Sequence, residues 1–241
     1  AGKALYRGQI MSSILFIPGL LNDAELFRDQ LGYLSARFDC HVADITQAGS
    51  LEDMAQAALE RAPKRFTLVG FSLGGFVAQE ILRQAPKRVE RLALLNTACR
   101  VDSARRQESR DATNRLARQP GRFLGIGEGL LKSYFHPDNM KKPALTERVR
   151  DMTKRLGADV LVRQNSIQRR DGETVLQGFR GPTLVLCGEN DAITSVSDHM
   201  EMASFIPFAD LVILSRAGHM TPIERPMGVA TAIEALMARD I

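Results

Sequence analysis

A serine lies at the centre of the most informative motif, Gly70-Phe71-Ser72-Leu73-Gly74-Gly75. The motif follows the apolar run 66–69 and precedes a predicted helix that begins at Leu73. A serine in so tight a strand-to-helix turn, with glycines on both sides, adopts a strained conformation that exposes its hydroxyl. The helix start then directs its dipole and a free backbone N–H at developing negative charge. The motif predicts Ser72 as a nucleophile; the alternative is a glycine-rich turn without chemistry.

A serine hydroxyl is a weak nucleophile and needs a neutral imidazole to accept its proton. Of the four histidines, His219 follows the run 211–214, and loops at strand ends collect catalytic groups in parallel sheets. We therefore predict His219 as the general base. His41, at the start of a predicted strand, is expected to be structural, and His199 to be solvated on a polar helix face. His136 is expected either to line a substrate entrance or to lie incidentally at the surface.

The imidazole in turn needs a carboxylate that fixes its tautomer and stabilises its protonated form. The loop Gly188-Glu189-Asn190-Asp191 follows the buried run 183–187 and offers two carboxylates. Asp191 lies further into the loop, as a side chain that reaches His219 would, so it is the predicted acid. Glu189 is the alternative.

The elements that must position these residues are short β-rich runs that alternate with helical patterns, typical of a parallel sheet with crossover helices. Strands are predicted at 13–17, 40–45, 65–70, 92–96, 183–187 and 211–214, and helices at 23–36, 52–61, 73–84, 198–205 and 226–238. Several strand runs are continuously apolar, so both faces of the sheet are expected to be covered.

The stretch 100–180 differs in composition. It holds 18 lysines and arginines against 10 aspartates and glutamates, and its strand signals nearly vanish. Periodic fragments at 105–118 and 145–156 predict short helices separated by proline and glycine. We interpret 1–99 and 181–241 as an α/β core and 100–180 as a helical insertion between the fifth and sixth predicted strands.

Together these motifs resemble the α/β-hydrolase family over nearly the whole chain. The segment 70–75 resembles its nucleophile elbow, 188–191 its acid loop, Gly218-His219 its histidine loop and 100–180 its cap, in the chain order that the family requires. The resemblance implies an α/β-hydrolase fold: a mostly parallel sheet of six or seven strands, flanked by helices, with a helical cap. The family's N-terminal hairpin is expected to be shortened, because residues 1–12 are too few to build it.

The resemblance also implies a second oxyanion donor in the loop after the first parallel strand, usually within a His-Gly-x pattern. Here the match is Pro18-Gly19-Leu20, so the implied donors are the backbone N–H groups of Leu20 and Leu73, and proline replaces the usual histidine. The candidates for the substrate pocket are Leu21, Phe71, Phe135 and His136.

The predicted activity is hydrolysis of a carboxylic ester through an acyl-enzyme on Ser72, with a small or medium apolar acyl group. The same three residues support alternatives: hydrolysis of a C–C bond or a thioester, lyase chemistry, or cofactor-free perhydrolysis. A non-catalytic ligand receptor of the same fold is a further alternative.

Composition limits the partners and the compartment. With 44% hydrophobic and 25% charged residues, the chain is typical of a globular protein. It shows no run long enough to span a bilayer and no signal-peptide cleavage site, so neither membrane insertion nor export is expected. Cys40, Cys99 and Cys187 form no close-spaced pair, which predicts neither a zinc site nor a disulfide framework and favours the cytoplasm.

No cofactor, metal ion or nucleic acid is expected as a partner, because no motif for any of them is present. The cationic stretch 100–180 is suited to attract an acidic acyl carrier. The segment 53–58, leading to 70–75, resembles the pimeloyl-carrier methyl ester esterases. The alternative is an ordinary solvated charged surface.

Overall fold

One parallel sheet organises the chain in the computed structural model, which describes residues 11–119, 121 and 123–241. Six strands pair in the order β2-β1-β3-β4-β5-β6, every neighbour parallel. They are β1 (Ser13–Ile17), β2 (Asp39–Val42), β3 (Phe66–Phe71), β4 (Val89–Leu95), β5 (Thr183–Gly188) and β6 (Ala209–Leu214). The predicted fold class is confirmed, and parallel pairing places the C-terminal ends of all six strands at one edge.

Burial along the strands explains the apolar runs. Every residue of β3 and β5 is buried, because helices cover both faces of the sheet at its centre. The edge strands β2 and β6 are only half-buried; β2 carries the polar residues Asp39 and His41, whereas Asp210 is the one polar residue of β6.

The helices are, in chain order, α1 (Arg28–Leu34), α2 (Leu51–Arg61), α3 (Leu73–Gln84), α4 (Ala104–Ala117), α5 (Glu128–Tyr134), α6 (Pro137–Met140), α7 (Pro143–Asn165), α8 (Glu173–Gly178), α9 (Val196–Phe205), α10 (Thr221–Glu224) and α11 (Pro226–Met237). Their starts follow local sequence rules. The Ser50 hydroxyl caps α2, Ser195 and Asp198 form a capping box on α9, and Pro137 begins α6. Gly157, with φ of +84°, interrupts the helical backbone of α7.

Two apolar clusters, one on each face of the sheet, form the core. In β3, Val69 and Phe71 join the first cluster, whereas Phe66 and Leu68 join the second. This alternation follows from the two-residue period of a strand. Side chains of α1 and α11 complete the first cluster, and those of α2, α3 and α9 the second. Helices α5 and α7 also contribute to the first cluster, so this part of the insertion packs on the core.

The helical insertion lies between β4 and β5. The expected position between the fifth and sixth strands is therefore wrong, because four strands precede the insertion and two follow it. The expected shortened N-terminal hairpin falls largely on residues 1–10, which lie outside the described residues. Within the described part of the chain, no helix combines the length and the apolar character that crossing a membrane requires.

Candidate active site

Ser72 occupies the turn between β3 and α3 with φ of +52° and ψ of −115°. A non-glycine residue adopts such a backbone conformation only where its surroundings impose it. Here its N–H donates to the carbonyl of Leu95 at 3.0 Å, and its own carbonyl accepts the Thr97 hydroxyl at 2.7 Å. A Cβ at Gly70 would lie 2.5 Å from the carbonyl oxygen of Gly74, so a side chain there would force the turn open.

His219 follows β6 and reaches Ser72 from the neighbouring loop. Its Nε2 accepts from the Ser72 hydroxyl at 3.0 Å, and its backbone N–H donates to the carbonyl of Tyr134 at 2.7 Å. The imidazole is almost completely buried between the rings of Phe71 and Tyr134, whose centroids lie 5.3 and 5.6 Å away. These contacts fix the ring on the insertion side as well as on the core side.

Asp191 holds the other side of the imidazole. Its Oδ2 and Oδ1 lie 2.9 and 3.0 Å from Nδ1 of His219, and four further donors surround the carboxylate. Asn96 Nδ2 and the Thr194 hydroxyl donate to Oδ2, each at 2.9 Å, while the N–H groups of Ile193 and Thr194 donate to Oδ1 at 2.8 and 3.0 Å.

This environment determines the charge of Asp191. Burial alone would raise the pKa of its carboxyl group. The opposite charge of His219 and the hydrogen bonds from His219, Asn96 and the Thr194 backbone outweigh burial, so the pKa lies below its ordinary value. Asp191 is therefore ionised at neutral pH and selects the His219 tautomer with hydrogen on Nδ1, which leaves Nε2 free to accept a proton.

Of the two carboxylates predicted for the acid loop, only Asp191 contacts the imidazole. Glu189 is exposed, and its Oε2 accepts from the backbone N–H of Arg216 at 3.3 Å. The structure thus brings Ser72, His219 and Asp191 into one hydrogen-bonded chain and leaves Glu189 outside it.

Leu20 and Leu73, the residues predicted to supply oxyanion donors, line the same cavity as Ser72. Leu73 begins α3, so its N–H has no partner within the helix, and among the described residues neither N–H has an acceptor. A Cβ at Gly74 would overlap the carbonyl oxygen of Ile17, which shows how closely α3 packs on the loop that carries Leu20. Both N–H groups therefore stay candidates for the oxyanion donors.

The cavity at Ser72 has a volume of about 340 Å³. Its apolar lining consists mainly of Leu20, Leu73, Phe76, Leu130, Tyr134, Leu161 and Ile193, and its polar lining includes Asp102, Arg106, Arg110, Asn165 and Arg169. An adjoining cavity of about 360 Å³ shares Thr113, Leu130 and Leu161 with it and is lined otherwise by apolar side chains and glycines.

The four predicted pocket residues lie outside this lining. Leu21, Phe71 and Phe135 are buried in the first apolar cluster, and Nδ1 of His136 accepts the N–H of Asp138 at the start of α6. The side chains of Leu20 and Tyr134, next to Leu21 and Phe135 in the chain, line the cavity instead. Neighbouring side chains point in different directions, and tertiary packing decides which one faces the cavity.

His199 corrects a second expectation: it is completely buried rather than solvated. Its Nδ1 donates to the carbonyl of Ser195, and its Nε2 accepts the N–H of Thr97 at 3.0 Å. Burial lowers the pKa of His199, so the ring is neutral. His199 thus holds the backbone of Thr97, and the Thr97 hydroxyl donates to the carbonyl of Ser72. Through Thr97, His199 stabilises the turn that carries Ser72. His41 lies on β2 and contacts Asp39, away from the site.

Sequence reasoning missed Asn96, Thr194 and Glu224. The Asn96 amide joins Asp191 to the Thr221 hydroxyl, and it follows β4 at the same sheet edge as the other site residues. Buried Glu224 accepts the N–H groups of Gly218 and His136, at 2.7 and 2.8 Å, and so fixes the histidine loop. Burial raises the pKa of its carboxyl group. Its position at the end of a strand is the signal that could have identified Asn96, whereas the sequence around Glu224 offers no such signal.

No group of three or more histidine, cysteine, aspartate and glutamate side chains with a metal-binding arrangement occurs among the described residues. The buried thiols are not nucleophiles either: burial raises the pKa of Cys99 to about 11 and that of Cys187 to about 12. The described residues thus offer the serine, not a thiolate, as nucleophile.

Comparison with known proteins places this geometry in a family. The family model described as the alpha/beta hydrolase family matches residues 14–232. The chain belongs to the alpha/beta hydrolase family. The resemblance inferred from the elbow, the acid loop and the histidine loop is thereby confirmed.

One similar sequence is a pimeloyl-[acyl-carrier protein] methyl ester esterase of Nitrosomonas europaea. It is 27% identical, with 84% of this chain and 86% of that protein covered. The 3-oxoadipate enol-lactonase 2 of Acinetobacter baylyi is 26% identical over 72% of this chain, and the match spans 64% of that protein's length.

Solved structures match more of the chain. A thermophilic esterase from Thermogutta terrifontis superimposes with a TM-score of 0.81 at 25% identity, covering 94% of this chain and 89% of that one. The enol-lactonase from Burkholderia xenovorans LB400 gives a TM-score of 0.83 at 21% identity, covering 97% and 94% of the two chains. The second likeness is one of fold.

Proposed function

We propose that the chain is a serine hydrolase that cleaves a carboxylic ester through an acyl-enzyme on Ser72. One observation carries the proposal: the Ser72 hydroxyl donates to Nε2 of an imidazole whose Nδ1 is held by an ionised, buried carboxylate. The family and its esterase and lactonase relatives support hydrolysis of ester bonds in general.

In the first half-reaction, Ser72 Oγ attacks the ester carbonyl carbon while its proton passes to Nε2 of His219. Asp191 stabilises the imidazolium that forms. The carbonyl oxygen becomes an oxyanion, which the N–H groups of Leu20 and Leu73 bind; each such donor contributes about 10²–10³-fold to kcat in comparable sites. When the C–O bond to the alcohol breaks, His219 returns the proton to the leaving oxygen.

Hydrolysis of the acyl-enzyme repeats these roles with water as nucleophile. His219 takes a proton from the water, the hydroxyl attacks the acyl carbon, and the same two N–H groups bind the second oxyanion. Collapse of this intermediate breaks the bond to Ser72 Oγ, which regains a proton from His219, and releases the carboxylic acid.

The proposed substrate is an ester with a small or medium acyl group. The volume of about 340 Å³ lies at the lower end of the range for small-molecule sites, about 300–1,000 Å³. Leu20, Leu73 and Phe76 provide apolar surface next to the nucleophile, and the adjoining apolar cavity offers room for a longer chain.

The test is to react the protein with a fluorophosphonate, locate the adduct by mass spectrometry, and measure hydrolysis of p-nitrophenyl acetate, butyrate and octanoate. We expect the adduct on Ser72 and a loss of about 10⁶-fold in kcat in the Ser72→Ala variant, the magnitude seen when a triad serine is removed. Ser204→Ala, which alters an exposed serine on α9, is the matched control and should retain full activity. Equal slow hydrolysis by all three proteins, without an adduct on Ser72, would refute the proposal.

A panel of thioesters and β-diketones, assayed beside the oxygen esters, separates ester hydrolysis from the thioesterase and C–C hydrolase alternatives. Because the same residues support all these reactions, the comparison uses kcat/KM on each substrate class rather than loss of activity on mutation. We expect the oxygen esters to give the highest kcat/KM, and a higher value for either other class would reassign the reaction.

We also propose an acidic acyl carrier as a partner that delivers the ester. Helix α4 borders the cavity, and its arginines Arg105 and Arg115 are exposed, with no carboxylate oxygen within 4.0 Å among the described residues. The similarity to a pimeloyl-[acyl-carrier protein] methyl ester esterase supports this assignment. With a carrier-bound ester, Arg115→Glu should raise KM and weaken its salt dependence, and should leave p-nitrophenyl acetate hydrolysis unchanged. An unchanged KM would refute the docking site.

For location we propose the cytoplasm, because Cys40, Cys99 and Cys187 are all free thiols. Cell fractionation with an antibody against the chain tests this, and recovery from an exported fraction would refute it.

A further inference from the structure

Three arginines line the cavity at Ser72, and two of them are occupied by contacts within the protein. Arg110 Nε lies 2.9 Å from Asp102 Oδ2, and Arg106 Nη2 donates to the carbonyl oxygen of Ile193. The third, Arg169, lies just beyond α7, and its guanidinium carbon is 5.7 Å from the centroid of the Phe76 ring.

Arg169 is only 7% exposed, yet no carboxylate oxygen among the described residues lies within 4.0 Å of its guanidinium nitrogens. Its Nη1 donates to the carbonyl of Ile167 at 2.7 Å and more weakly to that of Gln164 at 3.5 Å. Within the described chain, its Nε and Nη2 donate to no protein acceptor. These two nitrogens form one edge of the guanidinium plane.

The other buried arginines of the described chain are satisfied along this same edge. Arg148, 9% exposed, is paired with the carboxylates of Glu25 and Asp29, and its Nε and Nη2 also reach the backbone carbonyl of Glu25. Arg91, 8% exposed, donates from Nε and Nη2 to the carbonyl of Arg239, at 3.1 and 2.6 Å. Arg169 therefore departs from the way in which this fold otherwise buries a guanidinium.

A buried cation without an anion is costly, because burial removes hydration that the carbonyl contacts of Nη1 and the Phe76 ring replace only in part. Desolvation and the neighbouring positive charge of Arg110 lower the pKa of Arg169, and the charge of Asp102 opposes them only in part. A negatively charged ligand at the unsatisfied edge would remove this cost.

We propose that Arg169 binds a carboxylate of the substrate, so that the ester carries a negative charge at some distance from the bond that Ser72 cleaves. This inference rests on the proposed ester hydrolysis. The two oxygens of a carboxylate match the in-plane Nε and Nη2 donors, which is the geometry that arginine recognises best. Phe76 lies one helical turn beyond Ser72 on α3 and supports the guanidinium, which places the carboxylate site and the nucleophile on one wall of the cavity.

The carboxylate belongs either to the acyl group or to the alcohol, and two sets of substrates distinguish these sources. The acyl set compares the monomethyl esters of succinate, glutarate and adipate with their neutral dimethyl esters. The alcohol set compares 3-acetoxypropanoate and 4-acetoxybutanoate with their methyl esters. For each pair the measured quantity is the ratio of kcat/KM for the anionic ester to that for the neutral one.

In one of the two sets we expect this ratio to exceed about ten in the wild type and to fall at least tenfold in Arg169→Gln. Arg169→Lys, which keeps the charge but loses the two-donor edge, should give an intermediate ratio. The matched control is Arg170→Gln, which removes the adjacent, exposed arginine that pairs with Glu52 outside the cavity, and it should leave the ratio unchanged. Ratios below one in both sets, or equal ratios in wild type and Arg169→Gln, would overturn the inference.

Calorimetric binding to Ser72→Ala separates this inference from the proposed function, because it requires no turnover. Monomethyl glutarate should bind to Ser72→Ala at least tenfold more tightly than dimethyl glutarate, or 4-acetoxybutanoate more tightly than its methyl ester. The preference should disappear in Ser72→Ala/Arg169→Gln. Selective binding with no hydrolysis by the wild type would refute the proposed ester hydrolysis and retain the anion site. Hydrolysis without selective binding would retain the proposed ester hydrolysis and refute the anion site.

Discussion

The environment of Asp191 makes its replacement by asparagine a sharp test of the candidate triad. The substitution keeps the shape of the side chain, removes one negative charge and replaces one accepting oxygen by a donating NH₂ group. Every group that faces the carboxylate is a donor: Nδ1 of His219, Nδ2 of Asn96, the Thr194 hydroxyl and the N–H groups of Ile193 and Thr194. In either orientation of the amide, its NH₂ group opposes at least one of these donors.

The two orientations have different consequences. With NH₂ in place of Oδ1, it opposes two backbone N–H groups that cannot turn away. With NH₂ in place of Oδ2, the Thr194 hydroxyl can reverse, but the NH₂ group then opposes Asn96. In both, the charge that stabilises protonated His219 is lost, and NH₂ close to Nδ1 favours the tautomer with hydrogen on Nε2, which cannot accept the Ser72 proton.

The size of the effect follows from these losses. In serine proteases the same substitution lowers kcat about 10⁴-fold, which corresponds to about 5.5 kcal/mol of transition-state stabilisation. An unsatisfied buried donor costs about 1–3 kcal/mol of folding free energy, so in a chain of this length we expect Tm to fall by about 2–12 °C. The protein should remain folded while its activity nearly disappears.

The assay measures kcat and KM for p-nitrophenyl acetate, together with the rate at which a fluorophosphonate labels Ser72. We expect Asp191→Asn to lower kcat about 10⁴-fold, to slow labelling in parallel, and to change KM by only a few fold. Glu189→Gln makes the same chemical change at the exposed carboxylate of the same loop and is the matched control, with activity within twofold of the wild type. Retention of more than a tenth of kcat by Asp191→Asn, with the fold intact by circular dichroism, would refute this reasoning, as would an equal loss in Glu189→Gln.

Three further predictions concern the residues that support the site. Gly74→Ala should lower Tm by about 2–12 °C, the equivalent of about 1–3 kcal/mol of overpacking against the loop that carries Leu20, whereas Gly32→Ala, where a Cβ meets nothing within 4 Å, should leave Tm unchanged. Asn96→Ala should lower kcat about tenfold and raise the pKa of Asp191, because it removes a hydrogen bond to the charged group; an unchanged pH–rate profile at low pH would contradict this. His199→Gln should flatten the dependence of the unfolding free energy on pH. Burial lowers the folded-state pKa of His199 below its ordinary value of 6.5. Neutral His199 therefore stabilises the fold fully above pH 6.5, and this stabilisation is lost as the pH falls through the folded-state pKa. Urea unfolding at pH 7.5 and 5.5 measures how much unfolding free energy each protein loses between these two pH values. An equal loss in the wild type and in His199→Gln would contradict the prediction.

The part of the fold that the sequence predicts well is the part that depends on local pattern. The apolar run at 13–17 coincides with β1, and the glycine-flanked serine begins α3 at Leu73, because buried strands and tight turns each impose a composition of their own. The positions of Ser72, Asp191 and His219 after predicted strands, and their order in the chain, then predicted that these three side chains meet.

Residues that act through tertiary packing were not predictable in this way. His199 has polar neighbours along its helix, yet the backbone N–H of Thr97 meets its ring in the interior. Leu21 and Phe135 are as apolar as Leu20 and Tyr134, and only the paths of two loops decide which of them face the cavity. A sequence specifies such directions through many weak contacts, none of which is visible as a motif.

The positive charge of the insertion also shows the difference between what composition predicts and what tertiary contacts decide. Counted along the chain it indicates an anionic partner, but several of these arginines form ion pairs that join the insertion to the core, such as Arg148 with Glu25 and Asp29. Ion pairs between exposed side chains add little stability, whereas the buried guanidinium of Arg148 fixes α7 against the start of α1. The same helix carries Gln164, whose side-chain oxygen accepts the N–H of Leu21 at 2.7 Å, next to the proposed oxyanion donor. The ion pairs therefore position the cavity wall, and we propose that Arg169, a cavity arginine that none of them neutralises, recognises the anion.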